Sequence, residues 1–258
     1  MPAIACKFIG PVIPVSPSLL PPLSRQAVHV WSLQLPLVDN EKIISVLTPA
    51  EITRALSYHQ EEDRLRFMKS RALVKLLIAA YLDLDVADVV ITTGVTQKPD
   101  IESCSKTLQY NISHSGDLTL AAIAYSAVGV DVEKVDPGYQ YEDVYNICFN
   151  RREIDFIGDT GYVGFYKLWT MKEAIVKFTG KGIDDNMQHV PSLDGTHAVA
   201  ESITKQHVQV YGFEPQKNYI GGVSCTSLIN EVMFFDACSF LAAYYSAHPA
   251  LRKSLRDI

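Results

Sequence analysis

The chain has 258 residues, 48% of them apolar and 20% charged, with a formal net charge of −6. That balance provides for a sizeable core and excludes wholesale disorder, while an acidic surplus argues against a nucleic-acid partner. No apolar run reaches the ~18 residues of a membrane span. The five cysteines, Cys6, Cys104, Cys148, Cys225 and Cys238, are scattered, odd in number and form no CxxC, which argues against a disulfide framework or zinc knuckle and for a reducing, cytoplasmic setting.

In chain order, the N-terminus is apolar but interrupted by six prolines from Pro2 to Pro22. Proline fixes φ and removes an amide donor, so a signal-peptide helix is disfavoured and an extended arm over the surface is expected. Residues 27–35 alternate as a strand. Thr48, Pro49 and Glu51 have the spacing of an N-cap, a first-turn proline and a capping box. A second helical run begins near Glu61, with Leu65, Met68, Ala72, Leu76 and Ala79 as its buried stripe. Its charges Arg64, Arg66, Lys69, Arg71 and Lys75, with Arg54 upstream, form a basic face that reads by itself as solvated.

Residues 92–101 are turn-rich, 108–125 read as strand, Ser-Gly-Asp turn and strand, and 127–136 as a further strand. Residues 137–168 look mainly helical, a helix is expected from Leu168 to Thr179, and short strands with antiparallel pairing from about 183 onward. RALVK at 71–75 and EAIVK at 173–177 echo one another faintly, which raises two similar halves joined near residue 126.

Four stretches could carry chemistry. In WTMKEAIVKFTGKG (169–182), Leu168, Met171, Ala174, Ile175 and Phe178 share a helical face, with Glu173 and Lys177 roughly opposite. Alone, that pair reads as a solvated i,i+4 contact, and Gly180 as the cap glycine. In GVDVEK (129–134), Asp131 and Glu133 project from the same side of a strand. They suit a hard cation such as Mg²⁺, or equally a solvated strand edge. NISHSGD (111–117) offers hydroxyls, turn amides and an imidazole to a phosphate, or forms a self-bonded polar hairpin. Lys98 before Pro99 is a lysine on stiff backbone.

Together, in the chain order basic helix, SHSGD hairpin, Asp-x-Glu strand and Trp-x-x-Lys-Glu helix, these segments resemble the Sfp-type 4′-phosphopantetheinyl transferases, over about Thr48 to Gly182. The resemblance implies an α/β pseudo-dimer of the α+β type: two similar halves, 1–126 and 127–258, with the active site in the cleft between them. It implies transfer of 4′-phosphopantetheine from coenzyme A to a serine of an apo acyl or peptidyl carrier protein, leaving 3′,5′-ADP. Asp131, Glu133 and Glu173 would be ligands of Mg²⁺, with Mn²⁺ as the alternative ion. Lys177 would meet the pyrophosphate, and Glu173 or Glu153 would be the general base. Ser113 and His114 would meet the phosphates of coenzyme A, Lys98 and Pro99 would flank its adenine, and Arg54 and Arg66 would lie near its 3′-phosphate. Glu51 and Phe67 depart from the family pattern, standing where some relatives have a lysine and a threonine. By the same resemblance the protein would be a monomer. The rival readings are a metal-dependent phosphohydrolase acting on coenzyme A or a nucleotide, and a non-catalytic coenzyme A-binding module.

Overall fold

Strand alternation builds two sheets whose inner faces share one core. The structure is a computed structural model that describes residues 1–17, 19–37, 43–93, 99–101, 108–182 and 187–248. The strands are β1 (Ala3–Pro11), β2 (Ala27–Gln34), β3 (Ile91–Thr93), β4 (Pro99–Ile101), β5 (Gln109–Ser115), β6 (Leu118–Ala124), β7 (Val128–Lys134), β8 (Gly195–Ala198), β9 (Val208–Glu214), β10 (Tyr219–Thr226) and β11 (Glu231–Asp236). The main helices are α1 (Pro49–Leu56), α2 (Glu61–Leu82), α3 (Arg151–Thr179) and α4 (Ala237–Ala247). The first sheet runs β11-β2-β6-β5 and the second β7-β10-β9-β1-β8, with β3 and β4 as a separate hairpin.

Val28 and Val30 of β2 and Leu118, Leu120 and Ala122 of β6 meet Val128, Val130 and Val132 of β7 and Val223 of β10 in the core between the sheets. The alternate residues, Trp31, Leu33, Ala121 and Ile123, face the other way and pack under α2 and α4. On the far side, Met171, Ala174, Ile175 and Phe178 of α3 pack against Ile4, Cys6, Val208 and Val210 of the second sheet. The layers are therefore helix, sheet, sheet, helix, as expected when each amphipathic element must bury one face. The 71–75 and 173–177 segments lie in α2 and α3, the long helices that cover the outer faces of the two sheets.

The capping box at Thr48 forms as expected: Glu51 N–H donates to Thr48 Oγ1, and Glu51 Oε2 accepts from Thr48 N–H. Other expectations are corrected. The N-terminus is a surface arm only in part: β1 sits inside the second sheet, antiparallel to β8 and parallel to β9, with Ile4 and Cys6 buried, whereas residues 12–17 and 19–24 are exposed or half-buried. β11 likewise joins the first sheet, parallel to β2, so each sheet takes one strand from the far end of the chain, and not all of the later strands pair antiparallel. The final helix α4, capped by Asp236 onto Cys238 and Ser239, was not anticipated.

The helix that carries the 169–182 motif begins much earlier than Leu168. It starts at Arg151 and is interrupted by Gly161 at φ 66°, which is non-helical. The basic face of α2 is not one solvated stripe. Lys69 and Lys75 are buried, Lys69 Nζ donating to Leu35 O and Lys75 Nζ pairing with Glu51 at 3.3 Å. Of the expected stripe, Ala72, Leu76 and Ala79 are buried, whereas Leu65 and Met68 are only partly so.

Helix α3 approaches its sheet closely because glycine lies beneath it. A Cβ on Gly129 would stand 2.1 Å from Ala174 O and 2.5 Å from Phe178 N, and one on Gly222 2.5 Å from Thr170 O. These obstacles are helix backbone and cannot rotate away. Gly129→Ala should therefore force the helix off β7 and lower the unfolding free energy by ~1–3 kcal/mol, the usual overpacking penalty, read from urea unfolding. Unchanged stability would mean that α3 does not lie this close.

Candidate active site

The site forms where the edge strands β5 and β7 meet beneath α3. These strands belong to different sheets and are joined by side chains. Val130 N–H donates to Asn111 Oδ1 at 2.8 Å, Ser113 Oγ to Asp131 Oδ1 at 2.8 Å, Ser115 Oγ to Glu133 Oε2 at 2.8 Å, and Lys134 N–H to Ser115 Oγ at 3.0 Å. Because side chains alternate along a strand, Asn111, Ser113 and Ser115 lie on one side of β5. Asp131 and Glu133 share the side of β7 opposite Val130 and Val132, toward α3.

Helix α3 brings Glu173 and Lys177 to the same place. Lys177 Nζ lies 2.7 Å from Asp131 Oδ1 and donates to Ser113 Oγ at 2.9 Å. Glu173 is only 8% exposed, so the solvated-pair reading of this helix is excluded. Burial, then the Asp131 carboxylate, pushes the Glu173 carboxyl up to about 7, against the opposing pull of Lys177. Glu133 is also raised, by burial and then by Asp131, and hydrogen bonds from Ser115 and Trp169 partly offset this. Two buried carboxylate oxygens, Asp131 Oδ2 and Glu173 Oε1, have no hydrogen-bond partner among the described residues.

Glu153 belongs elsewhere. Its side chain is fully buried. Oε2 closes the capping box at Asn150 and pairs with Lys172 at 2.9 Å, and Oε1 accepts from Ser192 N–H and Oγ. With both oxygens occupied and no access to solvent, Glu153 is corrected from candidate base to structural anchor. Its partner Lys172, to which the sequence assigned no role, is fully buried too and donates to the carbonyls of Met187 and Val190. Burial pushes the Lys172 ammonium down, and Glu153 opposes this.

His114 is separated from Ser113 by strand alternation. It is exposed and lines a cavity of about 180 Å³ under α2, with Arg66, Phe67, Arg71 and Tyr58 among the other walls. Desolvation, then the Arg66 guanidinium, lowers its imidazole pKa. Arg54 and Arg71 lie over the Phe67 ring at 5.3 and 5.5 Å. Ser113, expected at the phosphates, has its hydroxyl engaged with Asp131 and Lys177 instead. Lys98 lies outside the described residues, and Pro99 opens β4.

Among the described residues no group of three His, Cys, Asp or Glu converges as a ready metal site. The cation paired with Asp131 there is Lys177. Ser115 and Trp169, which donate to Glu133, were not among the sequence-assigned residues. Ser115 was findable as the second residue after Ser113 on the same strand face. Among the described residues no helix is long and apolar enough to cross a membrane.

Comparison with known proteins agrees with this arrangement. Residues 37–126 match the family described as 4′-phosphopantetheinyl transferase, N-terminal, and residues 127–223 match the 4′-phosphopantetheinyl transferase superfamily. The chain is 30% identical over 151 residues to the 4′-phosphopantetheinyl transferase Sfp of Bacillus subtilis, covering 56% of this chain and 65% of that protein. It is 28% identical over 180 residues to the 4′-phosphopantetheinyl transferase HetI of a Nostoc species, covering 66% and 75%. A phosphopantetheinyl transferase from a Thraustochytrium species is 29% identical over 197 residues, covering 67% and 68%. The two matched families abut between β6 and β7, and the β5, β7 and α3 motifs fall inside them: the chain belongs to the 4′-phosphopantetheinyl transferase superfamily.

Proposed function

We infer that the protein moves 4′-phosphopantetheine from coenzyme A to a serine of an apo carrier protein. The single observation that carries this reading is the meeting of Asp131, Glu133, Glu173 and Lys177 under one helix, within the family's matched region. The serine hydroxyl oxygen bonds to the pyrophosphate phosphorus that bears the pantetheine arm. The P–O bond to the other phosphate breaks, and its electron pair leaves on 3′,5′-ADP. Such a transfer is governed by positioning and by charge stabilisation. Its substrate class and partner are coenzyme A and an acyl or peptidyl carrier, in a cleft between two similar halves, 1–126 and 127–258, of a monomer. No observation favours the hydrolase or the binding module.

Asp131, Glu133 and Glu173 would hold Mg²⁺. The donor set fits, because two of its buried oxygens have no partner and hard cations favour carboxylate oxygen. Bound there, the ion would neutralise charge on the pyrophosphate. Lys177, whose side chain is 29% exposed, is the cation of the set that would turn from Asp131 toward a phosphate oxygen. Glu173 is the candidate to take the serine proton, since both oxygens of Glu153 are occupied. His114 and Arg66 would meet the 3′-phosphate, with Arg54 at the rim and Lys98 and Pro99 beside the adenine. Ser113 would act through Lys177 and Asp131.

The test is the mass of an apo carrier incubated with the enzyme, coenzyme A and Mg²⁺. A gain of one phosphopantetheine, lost on chelation, is expected; coenzyme A cleavage without a carrier adduct would indicate the hydrolase. Asp131→Asn and Glu173→Gln should each slow transfer at least about a hundredfold, the scale of losing one transition-state charge partner.

Glu173 also ties stability to pH. Because its folded pKa is raised from 4.5 to about 7, its contribution is fully present below the lower value and is lost as pH rises through the higher one. The loss is roughly 3 kcal/mol across that window. In EDTA, the wild-type melting temperature should fall relative to Glu173→Gln between those values, and Mg²⁺ should restore it. Parallel pH profiles for the two proteins would remove Glu173 from the carboxylate cluster.

A further inference from the structure

The cavity beside His114 carries its own carboxylate. Asp63, in the first turn of α2, lines it with Arg66. Asp63 Oδ1 lies 2.5 Å from Arg66 Nη1. Arg66 is mostly buried, with its side chain 22% exposed, whereas that of Asp63 is 46% exposed. Arg66 Nε is buried without a partner among the described residues. Both Arg66 and Asp63 act on the His114 imidazole, with opposite sign, so the three groups share one small electrostatic environment.

The other acid near this pocket is of a different kind. Glu51 pairs with Arg71 at 3.7 Å and with buried Lys75 at 3.3 Å, and it closes the capping box of α1. Releasing Glu51 would strand a buried ammonium and uncap a helix. Among the described residues Asp63 has no such ties: its one ion pair is a half-exposed i,i+3 contact, and its carboxylate, the more exposed partner, can rotate into water. An arriving phosphate offers Arg66 a stronger, bidentate partner. It also repels Asp63 if the carboxylate stays.

We propose that Asp63 is a specificity-determining residue that occupies Arg66 in the free enzyme and yields it to the 3′-phosphate of the donor. Asp63 thereby sets how strongly coenzyme A is preferred over a donor without that phosphate. This rests on the reading of the His114 cavity as the site of the 3′-phosphate. Arg66 stays folded over the pocket while no ligand is bound, and part of the phosphate's binding free energy goes into displacing the carboxylate. The wild-type enzyme therefore discriminates only modestly between coenzyme A and 3′-dephospho-coenzyme A.

The test compares kcat/KM for these two donors in wild type and Asp63→Asn, together with calorimetric binding of 3′,5′-ADP and 5′-AMP. In the variant, the preference for coenzyme A should rise about fivefold or more, the scale of removing a like charge beside the phosphate. Affinity for 3′,5′-ADP should tighten relative to 5′-AMP by a similar factor. Ratios within twofold of wild type, with both donors still turned over, overturn the role of Asp63 alone. Failure of the wild type to bind 3′,5′-ADP overturns it together with the reading of the cavity. If 3′,5′-ADP binds but no donor is consumed, the transferase reading fails, and the nucleotide ratio by itself decides for or against Asp63.

Discussion

The structure depends on a seam that is not a backbone ladder. β5 ends the first sheet and β7 ends the second, and β7 must satisfy its outward amides without a strand partner on that side. A buried unpaired N–H costs about as much as a lost hydrogen bond, so the acceptors come from side chains: Asn111 takes Val130 N–H and Ser115 takes Lys134 N–H. The same serine row fixes the rotamers of Asp131 and Glu133. One set of bonds thus joins two sheets and aims two carboxylates. It also divides β5, whose odd residues serve the seam while His114 faces the cavity under α2.

Against this seam lies α3, whose two adjacent charges have opposite fates. Lys172 points away from β7 into a buried pocket where Glu153, Met187 O and Val190 O accept its hydrogen bonds. Glu173 points toward β7, where a carboxyl oxygen is left without a partner. A buried ion pair contributes little net stability after desolvation but is costly to break. The Lys172–Glu153 pair therefore serves chiefly as a lock, tying the start of the helix, its middle and the 187–192 segment across the break at Gly161. With helix rotation fixed there and its approach fixed by Gly129 and Gly222, Glu173 and Lys177 have little freedom in where they project.

The α2 side of the molecule follows a different rule: three of its cations are already matched by acids of the same chain. Lys75 and Arg71 share Glu51, and Arg66 has Asp63. This accounts for Glu51 where some relatives have a lysine, since here the acid neutralises a buried ammonium rather than meeting a ligand. Phe67, the other departure, stacks beneath two guanidinium groups and holds them at the cavity rim.

Local patterns alone determined a good deal. The capping box at Thr48, the strand–turn–strand through NISHSGD, the alternation that puts Asp131 and Glu133 together, and the apolar face of WTMKEAIVKFTGKG are short-range consequences of chain geometry. They were legible, and with them the family. Long-range packing decided the rest. That β1 enters the second sheet and β11 the first depends on partners nearly the whole chain away, and nothing in a proline-rich arm announces them. That Lys75 and Lys172 are buried depends on Glu51 and Glu153 arriving from other segments, whereas helical periodicity alone assigns a lysine to water. Glu153 is a candidate base by resemblance alone: a sequence shows that an acid is present, and only the fold shows whether both its oxygens are already occupied.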